Sequence, residues 1–100
     1  MIQTQTRVSI RNYGNYSSDN YGAHCLEVTI GDLRLWFSYD TVIAFHSPGQ
    51  SRKVRQNDWS STTGKHLNWV DDGDKKSRLP GDEFERTLNA TLKEYNLITN

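Results

Sequence analysis

The side chains of this chain that could do chemistry are most concentrated between residues 38 and 70. That stretch mixes aromatic, hydroxyl, basic and turn-forming residues, and His66 follows a run of four hydroxyl residues at 60–63. A histidine beside a hydroxyl could act as the general base of a nucleophile. The sequence supplies no group to orient such a pair, so we predict no catalytic residue and expect that the chain is not an enzyme.

The sequence contains no motif for metal binding or for nucleotide hydrolysis. The three histidines share no ligand spacing, and Cys25 is the single cysteine, so neither a zinc site nor an internal disulfide is predicted. The pair Gly64-Lys65 is not a P-loop, because Trp59 stands where the first glycine belongs and His66 follows the lysine. We therefore expect no metal and no cofactor.

Length and charge limit the classes of partner. The chain has 100 residues, the size of one domain, which we place at 1–100. Twelve basic and twelve acidic side chains cancel, so net charge predicts no long-range attraction to nucleic acid or to an anionic membrane. No apolar run approaches 20 residues, and the first residues are polar. We expect a cytoplasmic protein without a membrane span.

Alternating residues from 24 to 46 predict a three-stranded antiparallel meander, with turns at Gly31-Asp32 and Tyr39-Asp40. A regular register across these turns gives one apolar face. Its predicted cross-strand pairs are Ile30 with Leu33, Val28 with Leu35, Leu26 with Phe37, Phe37 with Val42, and Leu35 with Ala44. The opposite face would carry Trp36, Ile43 and Phe45, an apolar cluster that needs a cover. We expect a helix or the N-terminal segment there, or else a partner.

The remaining elements follow from local patterns. Residues 4–10 alternate as a first strand, residues 51–56 as a further strand, and a short helix is expected to begin near Ser61. A helical stripe marks the C-terminal helix, through Phe84, Leu88, Leu92 and Tyr95. The sequence therefore predicts an α+β fold: an antiparallel four- to five-stranded meander sheet with a short helix and a C-terminal helix packed on one face.

Two sets of residues are candidates for binding. The loop from Arg11 to Gly22 is rich in Tyr, Asn, Gly and Ser, which is typical of binding loops and also of ordinary long turns. The predicted aromatic anchors for a partner are Tyr13, Tyr16, Tyr21, Trp36 and Trp59. The predicted phosphate or nucleic-acid contacts are Arg52, Lys53, Arg55, Lys65 and His66, with Trp59 or Trp69 stacking on bases. Protection of an edge strand and helix capping also explain these basic and hydroxyl residues.

Two segments resemble a family of short uncharacterised proteins from phages, prophages and archaeal mobile elements. Residues 38–44 read SYDTVIA and residues 57–68 read NDWSSTTGKHLN, close to a pattern S-Y-x-T-x-V-A followed by S-x-T-T-x-K/R-H. The resemblance implies the company of small phage proteins, which often inhibit host defence, as anti-CRISPR proteins do. We therefore expect a non-enzymatic protein of the host cytoplasm that binds and inhibits a host defence protein, such as a CRISPR effector. The alternative is a small nucleic-acid or nucleotide-binding module, and a homodimer stays open.

Overall fold

Five antiparallel strands and two α-helices make up the part of the chain described by the computed structural model, residues 8–13, 25–59 and 61–98. The elements in chain order are β1 (Val8–Asn12), β2 (Leu26–Ile30), β3 (Leu33–Ser38), β4 (Thr41–His46), β5 (Lys53–Val54), α1 (Ser61–Asp71), a 3-10 helix (Lys75–Ser77) and α2 (Gly81–Glu94). The strands lie in the order β1-β2-β3-β4-β5. The predicted α+β class with an antiparallel meander sheet is confirmed.

Both predicted hairpin turns are present. Ile30 pairs with Leu33 across Gly31-Asp32, and Ser38 pairs with Thr41 across Tyr39-Asp40. Gly31 has a φ of 61°, in the left-handed region that glycine enters without steric cost. Tyr39 has a φ of 57°, in the region that a residue with a Cβ atom rarely adopts.

The β3–β4 hairpin contains a β-bulge. Phe37 pairs with Val42, as the alternation predicts, but the next residue of β3, Trp36, pairs with Ala44. Ile43 is therefore an extra residue on β4. A bulge places two residues opposite one, so every side chain beyond it changes face.

The bulge corrects the predicted faces of two residues. Leu35 pairs with Phe45, where a regular register would have placed Ala44. The Phe45 ring therefore lies on the same face as Leu35, and Ala44 lies on the same face as Trp36. Alternation could not reveal this, because β4 carries apolar residues on both faces.

Each face of the sheet is covered by one helix. On one face, α2 packs Phe84 and Leu88 against the sheet, and the rings of Phe45 and Phe84 meet edge to face with centroids 5.5 Å apart. On the other face, α1 packs Leu67 and Val70 against the sheet. The residues buried together there are Tyr13, Cys25, Trp36, Ile43, Ala44, Val54, Leu67 and Val70. The cover predicted for the second apolar face is thus α1.

One edge strand is shorter than predicted, and the other ends two residues later than predicted. The strand predicted at 51–56 is reduced to the two residues of β5, and Leu79 lies along its outer side. The Leu79 amide donates to the Val54 carbonyl at 2.7 Å, and the Gln56 amide donates to the Leu79 carbonyl at 2.8 Å. The strand predicted at 4–10 is observed from Val8 to Asn12, and its predicted first residues lie outside the described ranges.

The charged segment between the helices is held to α1 by an ion pair. Arg78 donates from Nε to Asp71 at 2.6 Å, and its Nη2 donates to both Asp71, at 2.9 Å, and Asn68, at 3.0 Å. The Arg78 and Asp71 side chains are only 4% and 8% exposed. This ion pair therefore fixes the end of α1 to the segment that leads into α2. Among the described residues, no helix is long and apolar enough to cross a membrane.

Candidate functional site

The two segments of the sequence motif meet where the β3–β4 turn packs on α1. The hydroxyl oxygen of Ser38 lies 2.7 Å from Nδ1 of His66 and 3.1 Å from the hydroxyl oxygen of Thr63. The rings of Tyr13 and Tyr39 pack against the His66 ring, with centroids 6.1 and 6.0 Å away. Ser38, Thr63 and His66 thus form one buried polar cluster under the turn.

The Ser38–His66 distance is that of a nucleophile and its base, but burial restricts access to both groups. His66 is fully buried and Ser38 is 3% exposed. The predicted contact of His66 with phosphate is therefore corrected: the sheet and two tyrosine rings enclose the imidazole. The arrangement fixes the β3–β4 turn to α1 through a hydrogen bond between buried groups.

A groove opens beside this cluster, and we call it the hairpin groove. It encloses about 250 Å³ and is lined by Ser38, Tyr39, Asp40, Thr41, Ile43, Trp59 and Thr63. The aromatic side chains of Tyr39 and Trp59 are about half exposed, at 47% and 46%. The groove therefore combines two accessible aromatic rings with the carboxylate of Asp40 and several hydroxyls.

Arg55 lies next to the groove and is held by contacts within the protein. Its guanidinium carbon is 4.8 Å from the centroid of the Trp59 ring. The same guanidinium donates to Glu85 at 2.9 Å and to Asp58 at 3.4 Å. Arg55 therefore positions Trp59, and its predicted role as a phosphate contact has to compete with two carboxylates.

A second cavity, which we call the arginine cleft, encloses about 320 Å³. It is lined by Arg11, Asn12, Tyr13, Glu27, Arg34, Trp36, Arg52, Trp69 and Val70. The strands β1, β2 and β3 each contribute one charged side chain to the cleft, on the sheet face that α1 partly covers. These side chains are Arg11, Glu27 and Arg34. None of its lining residues belongs to the hairpin groove.

Glu27 forms the centre of the arginine cleft. Its Oε1 accepts hydrogen bonds from Arg11 and from Nε1 of Trp36, both at 3.1 Å, and its Oε2 accepts from Arg34 at 3.0 and 3.3 Å. Burial alone would raise the pKa of this carboxyl. The hydrogen bonds and positive charges of Arg11 and Arg34 outweigh burial and hold the Glu27 pKa below its ordinary value of 4.5.

The other side of the cleft is built around Trp36 and α1. The guanidinium carbons of Arg34 and Arg52 both lie over the Trp36 ring, 4.8 Å from its centroid. Arg52 also donates to the carbonyl of Val70 in α1. Trp69, the residue before it, lines the cleft with 55% of its surface exposed.

The predicted partner anchors do not lie together. Tyr13 and Trp36 are buried, at 6% and 3% exposure, and the Tyr13 hydroxyl donates to the Phe37 carbonyl at 2.8 Å. These two rings are core residues, so a role as exposed anchors does not fit their burial. Tyr16 and Tyr21 lie outside the described residues. Trp59 is the exposed member of the predicted set within the described ranges.

The predicted phosphate contacts are also spread over the surface. Arg52 lines the arginine cleft, Lys53 pairs with Phe45 at the sheet edge, and Lys65 is exposed on α1. Arg11, Glu27 and Arg34 were not predicted to form a cluster. The signal was available: a covered sheet face that carries Glu27 and Arg34 must pair them, because isolated buried charges are costly.

The architecture is an α+β domain with a meander sheet between two helices, which by itself defines no activity. Residues 4–86 match the model of a family described as a family of unknown function (DUF8033), and the chain belongs to this family. Searches of curated proteins and of solved structures found no match.

Proposed function

We propose that this chain acts without catalysis, by binding and inhibiting a defence protein of the host cell, and that the hairpin groove receives a basic side chain of that protein. The observation that carries the proposal is the backbone of Tyr39. A tyrosine with a φ of 57° occupies a turn position that glycine or asparagine would fill with less strain. Such strain costs about 1–3 kcal/mol and clusters at binding and active sites, which supports a functional role for Tyr39.

The surroundings of Tyr39 define the chemistry of the partner. Its ring packs on one side against His66 and is 47% exposed. Trp59 and the carboxylate of Asp40 line the same groove. Aromatic faces beside a carboxylate favour a lysine or arginine side chain, through cation–π and ionic contacts. The guanidinium of Arg55 already lies over the Trp59 ring, so the cation of the partner contacts the Tyr39 ring and the exposed part of Trp59.

The identity of the partner as a host defence protein rests on a different observation. It is supported by the resemblance of residues 38–44 and 57–68 to small phage proteins, and inhibition of a CRISPR effector is one form of it. In that setting the chain acts in the host cytoplasm. The groove chemistry stands on Tyr39, Asp40 and Trp59 alone, so it can be tested with any captured protein.

Affinity capture from a host-cell lysate, read by mass spectrometry, tests the proposal. The bait is the full tagged chain, with Trp59→Ala and Asp40→Lys as groove variants and Trp69→Ala as a matched exposed-tryptophan control. We expect one host protein on the wild type and on Trp69→Ala, reduced at least about tenfold on both groove variants, since buried aromatic anchors dominate such interfaces. Circular dichroism checks that all four baits are folded.

The captured protein is then purified, and its activity is measured with increasing amounts of the chain. We expect activity to fall to its minimum near equal molar amounts, and Trp59→Ala to leave it unchanged. Retention of nothing but a second copy of this chain, or equal capture by Trp59→Ala and wild type, would overturn the proposal. Labelling of Ser38 by a fluorophosphonate, which reacts with activated serines, would contradict the absence of catalysis.

A further inference from the structure

The arginine cleft is separate from the hairpin groove, and its chemistry is different. We propose that it binds the phosphate of a nucleotide, with Arg11, Arg34 and Arg52 around the phosphate and Trp69 against the base. The ligand is either a free nucleotide or one nucleotide of a single strand, since both present the same groups. This site goes beyond the proposed binding of a host protein and does not depend on it.

Charge is the first argument for the site. Three guanidinium groups and one carboxylate line the cleft, which leaves an excess of two positive charges in a chain whose net charge is zero. Each guanidinium has five N–H donors. Among the described residues, Glu27 takes one donor of Arg11 and two of Arg34, so further donors remain for the oxygens of a phosphate.

Preorganisation is the second argument. Glu27, itself held by the Trp36 indole, fixes Arg11 and Arg34 from two different strands. The Val70 carbonyl and the face of Trp36 hold Arg52. Guanidinium groups that are already ordered lose less conformational entropy when an anion binds, and they suit bidentate contacts with phosphate.

Trp69 is the third argument, and it favours a nucleotide over a simple anion. Its ring lies at the cleft with 55% of the residue exposed, whereas the face of Trp36 is already occupied by arginines. An exposed indole beside a basic cleft is a platform on which a base can stack. The volume of about 320 Å³ lies within the range of small-ligand sites.

The test is a titration of the full chain with adenosine 5′-monophosphate, inorganic phosphate and a short single-stranded oligodeoxyadenylate, followed by NMR and calorimetry. The main variant is Arg11→Gln, because the Arg11 side chain is 68% exposed and the fold should tolerate its loss. Arg86→Gln, exposed on α2, is the matched control. We expect Arg11→Gln to weaken nucleotide binding at least about tenfold, while Arg86→Gln changes it less than about twofold.

Two further measurements separate the contribution of the base from that of the phosphate. Trp69→Ala should lower the affinity for the nucleotide to that for inorganic phosphate, and wild-type binding should weaken as sodium chloride rises. Tighter binding of the oligonucleotide than of the monophosphate would assign the site to single strands, and the reverse would assign it to free nucleotides. The proposal is overturned if neither ligand binds up to millimolar concentration, if Arg11→Gln and Arg86→Gln bind alike, or if an oligoglutamate peptide binds more tightly than either nucleotide.

Discussion

The hydroxyl oxygen of Ser38, the last residue of β3, lies 2.7 Å from Nδ1 of His66 within α1. This hydrogen bond joins the two segments of the motif and ties the β3–β4 turn to the helix. Both residues are buried, so water cannot replace either partner without entering the core. The position of Tyr39 over the hairpin groove therefore depends on this bond.

The Ser38–His66 bond predicts a clear loss of stability in Ser38→Ala. The change leaves Nδ1 of a buried imidazole without its hydroxyl partner, which typically costs about 1–3 kcal/mol. Urea unfolding monitored by tryptophan fluorescence gives the free energy of unfolding. Ser51→Ala, at an exposed position, is the control and should change it by less than about 0.5 kcal/mol. Equal effects of the two substitutions would show that the bond contributes nothing to stability.

Glu27 predicts a loss of stability in acid. Its folded pKa is below the ordinary value of 4.5, so the folded state favours the carboxylate. The stabilisation is complete above about pH 4.5 and is lost as pH falls through the folded pKa. Unfolding free energies of wild type and Glu27→Gln, measured from pH 7 to pH 3, should therefore converge as the solution becomes more acidic. A difference that stays constant over this range would contradict the prediction.

The raised pKa of Tyr95 predicts a loss of stability in alkali, whereas the lowered pKa of Glu27 predicts a loss in acid. Its hydroxyl donates to the Asp32 carboxylate at 2.7 Å, which, together with burial, raises the pKa of Tyr95 from its ordinary value of 10 to about 12. The neutral phenol is favoured by folding, so the stabilisation is complete below pH 10 and is lost between pH 10 and about 12. Ultraviolet titration of wild type against Tyr95→Phe should show the raised pKa directly. Asp32→Asn should lower it, and an unchanged titration in that variant would rule out Asp32 as the cause.

Replacing Arg78 should cause one of the largest losses of stability among substitutions of charged residues. Arg78→Met leaves the Asp71 carboxylate buried without its ion-pair partner, which typically costs about 3–5 kcal/mol. The double variant Arg78→Met with Asp71→Leu should recover much of this loss, because it removes the unpaired charge as well. Arg86→Met is the exposed control. Thermal unfolding of the four proteins measures the effect, and a double variant no more stable than Arg78→Met would argue against the pair.

Local patterns were sufficient to predict most of the fold. The turns at Gly31-Asp32 and Tyr39-Asp40 and the apolar stripe of α2 depend on residues that are close in sequence. The bulge at Ile43 could not be predicted in this way. Either register buries apolar side chains of β4, and the choice depends on how Phe45 packs against Phe84 of a helix far along the chain.

The candidate sites were less predictable, because tertiary contacts build them. Tryptophan is a common anchor residue at protein interfaces, yet Trp36 is buried by its contacts with Glu27 and α1. His66 lies in a hydroxyl-rich segment that suggests an exposed anion site, but in the fold it is buried and hydrogen-bonded to Ser38. Arg11 and Arg34 are 23 positions apart in the sequence and meet because antiparallel strands place both beside Glu27.

Binding of a host protein through the hairpin groove is tested most directly by calorimetry with that protein and two matched variants. Trp59→Ala removes the exposed ring of the hairpin groove, and Trp69→Ala removes the exposed ring of the arginine cleft. We expect the dissociation constant to rise at least about tenfold for Trp59→Ala and to change less than about twofold for Trp69→Ala. Equal dissociation constants for wild type and Trp59→Ala would contradict the account.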